Sequence, residues 1–460
     1  MAAQGLQSAR AIAAHVLNGF DPAREYAGQA LDRLLDLTQE RQRATDLVHG
    51  TIRNRSAIDT VIAKFSGRPT ACIDARLLTI LRIAVYEIAF SPATPVYSIV
   101  DEAVNTVGKS GGKKQSGFVN AVLRQIVRHV ANRQADLTQA SPRRSLVQTP
   151  QTGCEFDADF LPDPATDAGM HLSLRFSLPS WLVAVWLKEF GPERTLDICM
   201  ACNRRPSLYI RVNPLRTTPA DLLARFQQAG VQGEPVPGDS SRGSAMIRVT
   251  GPHAVTQLPG FSEGLFSVQD LSASQVVRFL DPQPGWSILD LCAAPGSKTT
   301  QMAELSRDAA TITATDIDPV RLERVKENIA RLGLASVTIV PHAQLEQRTE
   351  PFDAVLLDAP CSNTGVLARR VEARFRVTAQ AVKDIALIQK GLLAKAAGLV
   401  KPGGRICYST CSIQQRENQD RVRDFLAEHG EFTLAGESLL LPATGPFDHD
   451  GGYVALLIRK

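Results

Sequence analysis

From about residue 256 onward, short apolar runs alternate with longer amphipathic stretches. The runs are SILDL (287–291), TITATD (311–316), SVTIV (336–340), AVLLD (354–358) and RICYST (405–410). Between them lie segments with helical spacing, among them PVRLERVKENIARLG (319–333) and TAQAVKDIALIQKGLLAKAAG (378–398). Strands joined through helices pair in parallel, because the crossover returns the chain to the same edge of the sheet. The pattern therefore predicts an α/β fold with a doubly wound, mainly parallel sheet. Such sheets bind ligands outside the carboxyl ends of their strands, so polar residues there are the ones to weigh. No internal repeat or heptad pattern is visible.

Other textures precede this region. Residues 1–133 read as helix throughout, with breakers only at Asp21-Pro22, Gly67–Pro69 and Ser91–Pro95. This predicts a helical bundle with short connections. GKSGGKKQ (108–115) reads as a basic glycine loop leading into the helix GFVNAVLRQIVRHV (117–130). Residues 134–169 are rich in Gln, Thr, Pro and Asp without periodicity, and read as a flexible linker. Residues 170–255 read as a small α+β module: helices over 180–190 and 191–202, the strand SLYIRVN (207–213), a helix over 219–230 and the strand AMIRVTG (245–251).

Net charge is only +4, but residues 101–150 hold Lys109, Lys113, Lys114, Arg124, Arg128, Arg133, Arg143 and Arg144 against Asp101, Glu102 and Asp136. Clustered positive charge suits a polyanion such as RNA; a solvated helix face is the plainer reading. No run of about 18 uncharged apolar residues exists to span a membrane. The best candidate, Ile88–Val100, is short and holds Pro92 and Pro95. The N-terminus lacks the pattern of a secretion signal, and eight cysteines are too dilute for a disulfide scaffold. Reduced thiols and a cytoplasmic location are expected.

Three strand ends carry chemistry. Asp290-Leu-Cys-Ala-Ala-Pro-Gly-Ser-Lys298 follows the first strand and opens a helix. Its small residues let a ligand approach the backbone, and a helix N-terminus offers free N–H groups. Ser297 separates Gly296 from Lys298, which excludes a Walker A loop, and only one of the three glycines of a dinucleotide fingerprint is present. Asp316 ends the second strand, where an acid accepts from ribose hydroxyls. Asp318, just before Pro319, reads as a helix cap. Asp358-Ala-Pro-Cys361-Ser-Asn-Thr-Gly365 ends the fourth strand, and Tyr408-Ser-Thr-Cys411-Ser412 ends the fifth. Two cysteines at neighbouring strand ends face a cleft rather than a core. Cys199 and Cys202 form a C-x-x-C without a second ligand pair and read as packing, not metal ligation; no metal is expected.

DLCAAPGSKTT, DAPCSNTG and YSTCS resemble motifs I, IV and VI of the RNA cytosine-5 methyltransferases. The chain resembles their bacterial 16S ribosomal-RNA branch, of the Sun/Fmu type. Its N-terminal block, with GFVNAVLR (117–124), is similar to the NusB-like RNA-binding domain fused to that branch. RPSLYIRVN (205–213) and FSVQDLSASQ (266–275) match the segments flanking the family's small module. The resemblance implies an all-α NusB-like bundle (1–133), a ferredoxin-like α+β module (170–255) and a Rossmann-like methyltransferase domain (256–460), covering all but the linker.

The resemblance also implies a reaction. A thiolate adds to carbon 6 of cytosine, carbon 5 then takes a methyl group from S-adenosylmethionine, and a base removes the carbon-5 proton. Cys411 is then the nucleophile, Cys361 assists release of product, and Asp358 holds the cytosine edge and neighbours the cofactor. S-adenosylmethionine would lie on Cys292, Ala293, Ala294, Pro295, Gly296, Ser297 and Lys298, with Asp316 on the ribose. Lys298 is a candidate to stabilise the Cys411 thiolate. The partner implied is ribosomal RNA of the small subunit. The sequence departs from the family at Ser297 and Asn363, where glycine is usual and where a side chain fits if φ is negative. It departs at His342, where an Asp near the adenine is usual, and at ARRVEARFRV (368–377), which lacks the usual Pro and Trp. Two other readings stay open at this point: a catalytically silent RNA-binding protein, and the same chemistry on tRNA or 23S rRNA.

Overall fold

A computed structural model describes residues 8–22, 26–238, 245–251, 253–347 and 350–460. Residues 1–7, at the head of the expected bundle, lie outside the described residues. The helices are α1 (Ala9–Gly19), α2 (Ala27–Asp32), α3 (Arg41–Arg53), α4 (Arg55–Ser66), α5 (Ala75–Phe90), α6 (Val96–Arg128), α7 (Ala168–Phe176), α8 (Ser180–Asn203), α9 (Pro219–Gln228), α10 (Leu271–Leu280), α11 (Ser297–Leu305), α12 (Pro319–Leu332), α13 (Ala373–Arg376), α14 (Ala379–Leu399) and α15 (Gln419–Glu428). The strands are β1 (Val130–Asp136), β2 (Ser145–Val147), β3 (Thr152–Phe156), β4 (Leu208–Val212), β5 (Gln232–Pro235), β6 (Met246–Thr250), β7 (Phe266–Val268), β8 (Ser287–Asp290), β9 (Thr311–Ala314), β10 (Val337–Ile339), β11 (Phe352–Asp358), β12 (Val400–Thr410), β13 (Phe432–Leu440) and β14 (Gly452–Arg459). Among the described residues no helix is long and apolar enough to cross a membrane.

The chain divides into two units: residues 1–205 with 367–377, and residues 206–366 with 378–460. In the first, α1 and α3–α6 bury Ile12, Leu47, Ile58, Leu81, Val85, Leu123 and Ile126 in one core. Asp74 caps α5 by accepting from the amides of Arg76 and Leu77, which satisfies two of its orphan donors. Gly50 on α3 is obligatory, since a Cβ there would stand 2.1 Å from the Tyr86 ring on α5. The expected glycine loop at 108–115 is instead helical, broken within α6 only at Gly112 (φ 78°, ψ 178°). One glycine at positive φ suffices to redirect the helix.

The expected linker, 134–169, is a correction. β1, β3 and β2 form an antiparallel sheet over this stretch. Leu146, Cys154 and Phe156 are fully buried in the bundle core. A few apolar residues scattered among polar ones show no periodicity, yet these land inward. Arg133, one of the eight basic residues expected to face RNA, donates to the carbonyls of Glu87, Ile88, Ser91, Pro92 and Thr94 at the end of α5. Arg143 pairs with Asp159 and Asp163, and Arg144 with Glu155. The remaining five, Lys109, Lys113, Lys114, Arg124 and Arg128, are exposed or half-exposed on α6.

Helices α7 and α8 belong to the first unit, and α8 breaks at Gly191 (φ 78°) before Pro192, so it is two helices end to end. Segment 367–377 belongs there too. Its Arg374 is buried and donates to the carbonyls of Arg53 (2.5 Å), Phe176 (3.2 Å) and Cys202 (3.1 Å). Burial, reinforced by Arg53, pushes its guanidinium down to about 9.

The second unit holds a four-stranded antiparallel sheet, order β5-β6-β4-β7, with α9 beside it, and a seven-stranded sheet, order β10-β9-β8-β11-β12-β14-β13. The first five strands of the larger sheet run parallel; β14 and β13 close one edge antiparallel. Leu289, Val355, Leu357, Ile406 and Tyr408 pack one face under α14 and α15, and Ile288, Leu356 and Cys407 the other under α10 and α11. Arg211 of β4 is fully buried. It pairs with Glu304 of α11 at 2.7 Å and donates to the Ser297 carbonyl at 3.0 Å, so the small sheet is pinned to the first turn of α11.

Candidate active site

All the motif residues converge on the carboxyl ends of the parallel strands. The turn after β8 is built by backbone bonds: Ala293 N–H to the Thr315 carbonyl (2.8 Å) and Gly296 N–H to the Ala293 carbonyl (2.7 Å). Gly296 has φ +100°, and a Cβ on it would press on Val325 at 3.2 Å. Ser297, one residue on, is the first residue of α11, so its side chain fits. From α12, Arg321 donates to the Ala294 carbonyl (2.8 Å) and Asn328 to that of Pro295 (3.2 Å).

Asp290, the last residue of β8, is buried. Its Oδ2 accepts from Thr299 Oγ1 at 2.6 Å, and its Oδ1 has no hydrogen-bond partner among the described residues. Burial pushes its carboxyl up to about 7; Thr299 opposes the shift and Asp358 adds to it. Burial also raises the Cys292 thiol, with Asp290, Asp358 and Asp316 nearby. Asp316 accepts from Ala294 N–H (3.2 Å) through Oδ2 and from Asp318 N–H (3.0 Å) through Oδ1. That uses two of about four acceptor positions on the carboxylate. Asp318 caps α12 through Val320 N–H at 2.9 Å, as its place before Pro319 predicted. Beside them Ile317 and Val320 are exposed apolar side chains.

β11 and β12 are hydrogen-bonded neighbours, with Asp358 opposite Ser409. Asp358 accepts from Lys298 Nζ (2.6 Å) and from Ser409 Oγ (2.7 Å). Burial would lower the Lys298 ammonium, but Asp358 outweighs it and holds the charge in place; Cys411 contributes in the same direction. Lys298 thus bonds to Asp358, not to the thiol. Cys361 and Cys411 lie with their sulfurs 3.1 Å apart. The hydrogen bond to Cys411, then burial, raises the Cys361 thiol well above the ordinary range.

Asn363 has φ +61°, so the condition of a negative φ is not met there. Asn tolerates this left-handed conformation better than other side chains do. Its amide bridges the pair: Nδ2 donates to the Cys361 carbonyl (2.9 Å), and Oδ1 lies 3.3 Å from Cys411 Sγ. Gly365 allows the two loops to touch, since a Cβ would stand 2.8 Å from the Cys411 carbonyl. His342 follows β10 and its Nε2 lies 3.0 Å from Lys395 Nζ. Cys199 and Cys202 are buried in α8. Among the described residues no cluster of three His, Cys, Asp or Glu side chains is placed to hold a metal ion.

Behind the cysteine pair lies Glu417, which sequence reading missed. Its carboxylate accepts from Ser362 N–H (2.8 Å), Ser362 Oγ (2.5 Å), Ser412 Oγ (2.5 Å) and Gln389 Nε2 (3.3 Å). The only signal was that one serine directly follows each cysteine.

Comparison with known proteins identifies the family. Residues 277–443 match the family model "16S rRNA methyltransferase RsmB/F", residues 7–128 the NusB family, and residues 178–256 the ferredoxin-like domain of RsmF/B-like methyltransferases. The chain is 31% identical over 433 residues to a probable ribosomal RNA small subunit methyltransferase B of Synechocystis sp., covering 92% of this chain and 90% of that one. It is 31% identical over 446 residues to ribosomal RNA small subunit methyltransferase B of Vibrio cholerae, covering 94% of each. Among solved structures, PH0851 superposes with a TM-score of 0.72 at 26% identity over 98% of both chains. A methyltransferase homolog protein from Pyrococcus horikoshii superposes at 0.55 with 28% identity, covering 64% of this chain and 99% of that one. With a NusB-like helical domain, a ferredoxin-like module and an α/β methyltransferase domain in that order, the chain belongs to the RsmB/F family of 16S ribosomal RNA small subunit methyltransferases.

Proposed function

We propose that this chain methylates carbon 5 of a cytosine in small-subunit ribosomal RNA, with S-adenosylmethionine as donor and Cys411 as nucleophile. The observation that carries the reading is the pair of thiols 3.1 Å apart at the ends of adjacent parallel strands, beside the Lys298–Asp358 pair. A pair of thiols kept only for packing would be buried in a core; this one sits where the fold presents ligands.

The residues present fit the donor. Asp316 keeps acceptor capacity for ribose hydroxyls, and exposed Ile317 and Val320 offer an apolar surface to a base. Asp290 presents a buried oxygen with no partner among the described residues. When bound, S-adenosylmethionine supplies an electrophilic methyl group. The 292–298 turn, Asp316 and Asp358 would hold it.

The protein's own groups do the rest. Cys411, as thiolate, bonds to carbon 6, and the displaced electron pair makes carbon 5 nucleophilic. Asp358 is anchored by Lys298 and Ser409 and reaches the amino and N3 edge of the base. Cys361 keeps its proton while it is hydrogen-bonded to the Cys411 sulfur. Once Cys411 is tied up as a thioether, that restraint is gone. Cys361 can then ionise, take the carbon-5 proton and let the carbon–sulfur bond break, freeing Cys411. The target base must leave its stack to reach this edge, which favours a loop or bulge in the RNA. Lys109, Lys113, Lys114, Arg124 and Arg128 on α6 suit its phosphates.

The test is transfer of labelled methyl from S-adenosylmethionine to protein-free small-subunit rRNA, followed by digestion to nucleosides. Label in 5-methylcytosine is expected, lost in Cys411→Ala. Cys361→Ala should accumulate a covalent protein–RNA adduct on a denaturing gel. Label in another nucleoside, or methyl transfer by Cys411→Ala, would sink the reading.

A further inference from the structure

Two loops separated by 50 residues must place two sulfurs 3.1 Å apart. A loop has little rigidity of its own, so something must hold one against the other. The strand pairing ends at Asp358 and Ser409, before either cysteine. Beyond it, Gly365 N–H donates to the Cys411 carbonyl (3.0 Å) and the Asn363 amide bridges the pair; the other ties run through Ser362, Thr364 and Ser412, and the two serines converge on Glu417. Thr364 Oγ1 accepts from Ile413 N–H (3.1 Å) and lies 3.0 Å from Ser412 Oγ; Ser362 Oγ lies 3.2 Å from Ser412 Oγ. Glu417 takes one oxygen to both serine hydroxyls and the other to the Ser362 amide and Gln389. Gln389 also donates to the carbonyl of Pro360, on the other side of Cys361 (2.9 Å).

This is a costly way to fill space. A carboxylate taken out of water needs its lone pairs satisfied, and here all four donors are neutral groups rather than a cation. Packing alone would be served better by a neutral side chain. A carboxylate is different in one respect: it has about four acceptor positions and no donor, so it can bind both serine hydroxyls through one oxygen and orient both.

We propose that Glu417 is a positioning residue that clamps the Cys361 loop to the Cys411 loop and sets the separation of the two thiols. Its use in catalysis rests on the cysteine roles proposed above; its effect on the geometry does not. Glu417 does not touch the reacting atoms. Without it, Cys411 keeps its place next to the end of β12 and can still attack, while Cys361 drifts from the carbon-5 proton. The loss should therefore fall on release of product rather than on RNA binding.

Two readouts test this, on the full chain. The first is phenylarsine oxide, which bonds two close thiols to one arsenic and releases the oxide with both protons as water. Binding is measured against Cys361→Ala, which reports any background from Cys199 and Cys202. Wild type should bind one equivalent, Glu417→Ala at least 10-fold more weakly, and Glu417→Gln in between, because Gln keeps an acceptor for the Ser362 amide. The second readout is turnover. Glu417→Ala should lower kcat at least 30-fold with KM for RNA within about 2-fold, and should accumulate the covalent adduct; Glu417→Gln should recover 5-fold or more. Wild-type arsenical binding by Glu417→Ala overturns the clamp. Weakened arsenical binding with normal turnover overturns its role in the reaction. A Glu417→Ala protein that fails to fold moves the decision to Glu417→Gln: wild-type arsenical binding and kcat there overturn the proposal, and parallel losses support it. If Cys411→Ala keeps methyl transfer, the cysteine roles fall, while the arsenical readout still decides whether Glu417 sets the pair.

Discussion

Replacing Asp290 by Asn should stabilise the protein, and the gain should depend on pH in a defined way. The carboxyl is buried, and burial first, with repulsion from Asp358, moves it from its ordinary 3.8 to about 7. A raised folded-state value means that the folded protein binds this proton more tightly than the unfolded chain does. The stabilisation is therefore complete below pH 3.8 and disappears as pH rises to about 7. Each tenfold difference in proton affinity is worth about 1.36 kcal/mol, so the native state bears a cost of about 2 kcal/mol at pH 5 and about 4 kcal/mol at pH 8, flat above that. Asn has the shape of the protonated acid, and its oxygen can still accept from Thr299 Oγ1, which lies 2.6 Å from Oδ2. It should remove the cost at every pH. Denaturant unfolding of the two proteins should show a gap of about 2 kcal/mol at pH 5 that widens to about 4 kcal/mol at pH 8. A gap that does not change with pH, or an Asn variant less stable than wild type at pH 8, would refute the reasoning.

Other substitutions separate the remaining roles. At Asn363, Gly should leave unfolding free energy within about 0.5 kcal/mol, whereas Val should cost about 1–2 kcal/mol, because a β-branched residue resists φ +61°. Asn363→Asp should move the alkaline-rising limb of the rate–pH profile upward by about one pH unit or more, since a carboxylate 3.3 Å from Cys411 Sγ opposes its ionisation. Arg133→Ala should destabilise the helical unit by about 3 kcal/mol in thermal unfolding, because five carbonyls lose their donor, without changing the salt dependence of RNA binding. The five cations of α6 predict that log affinity for RNA falls with log salt at a slope of about −3.5 to −4.5, and that Lys113→Ala with Lys114→Ala reduces it by about 1.5. A slope unmoved by that pair would place the RNA elsewhere.

How much of this was legible depended on whether a residue's role left a pattern. The parallel strands announced themselves because both faces are covered, so they read as unbroken apolar runs such as AVLLD. The antiparallel β13 did not, since it is mostly exposed along Phe432–Leu440; β14 does carry such a run, YVALLI (453–458), and was missed. The sheet over 130–156 was missed for a related reason. Leu146, Cys154 and Phe156 are buried against helices far away in sequence, and polar neighbours mask them. Basic residues misled in the same way. Charge counting cannot tell Lys113, open to water, from Arg133, spent on the end of α5, or Arg374, buried in its own unit. A side chain's charge is visible in sequence; the carbonyls that consume it are not.

The active site divides along the same line. Polar residues and thiols at strand ends have no packing demand to explain them, and so Lys298, Asp316, Asp358, Cys361 and Cys411 stood out in sequence as candidates. Residues that hold those side chains in place have no such excuse to stand out. Glu417 lies in a short turn, and a charged residue there reads as surface; only its four neutral donors show that it is buried at the centre of the site. Asn363 is the instructive middle case. Its identity departs from the family pattern, which flagged the position, but the backbone explains the departure. A left-handed residue must be Gly or a short amide to be cheap, and of the two only the amide can reach from the Cys361 carbonyl to the Cys411 sulfur. The same constraint that admits glycine therefore admits Asn, and a change that looks neutral in sequence places one more polar group on the Cys411 thiol.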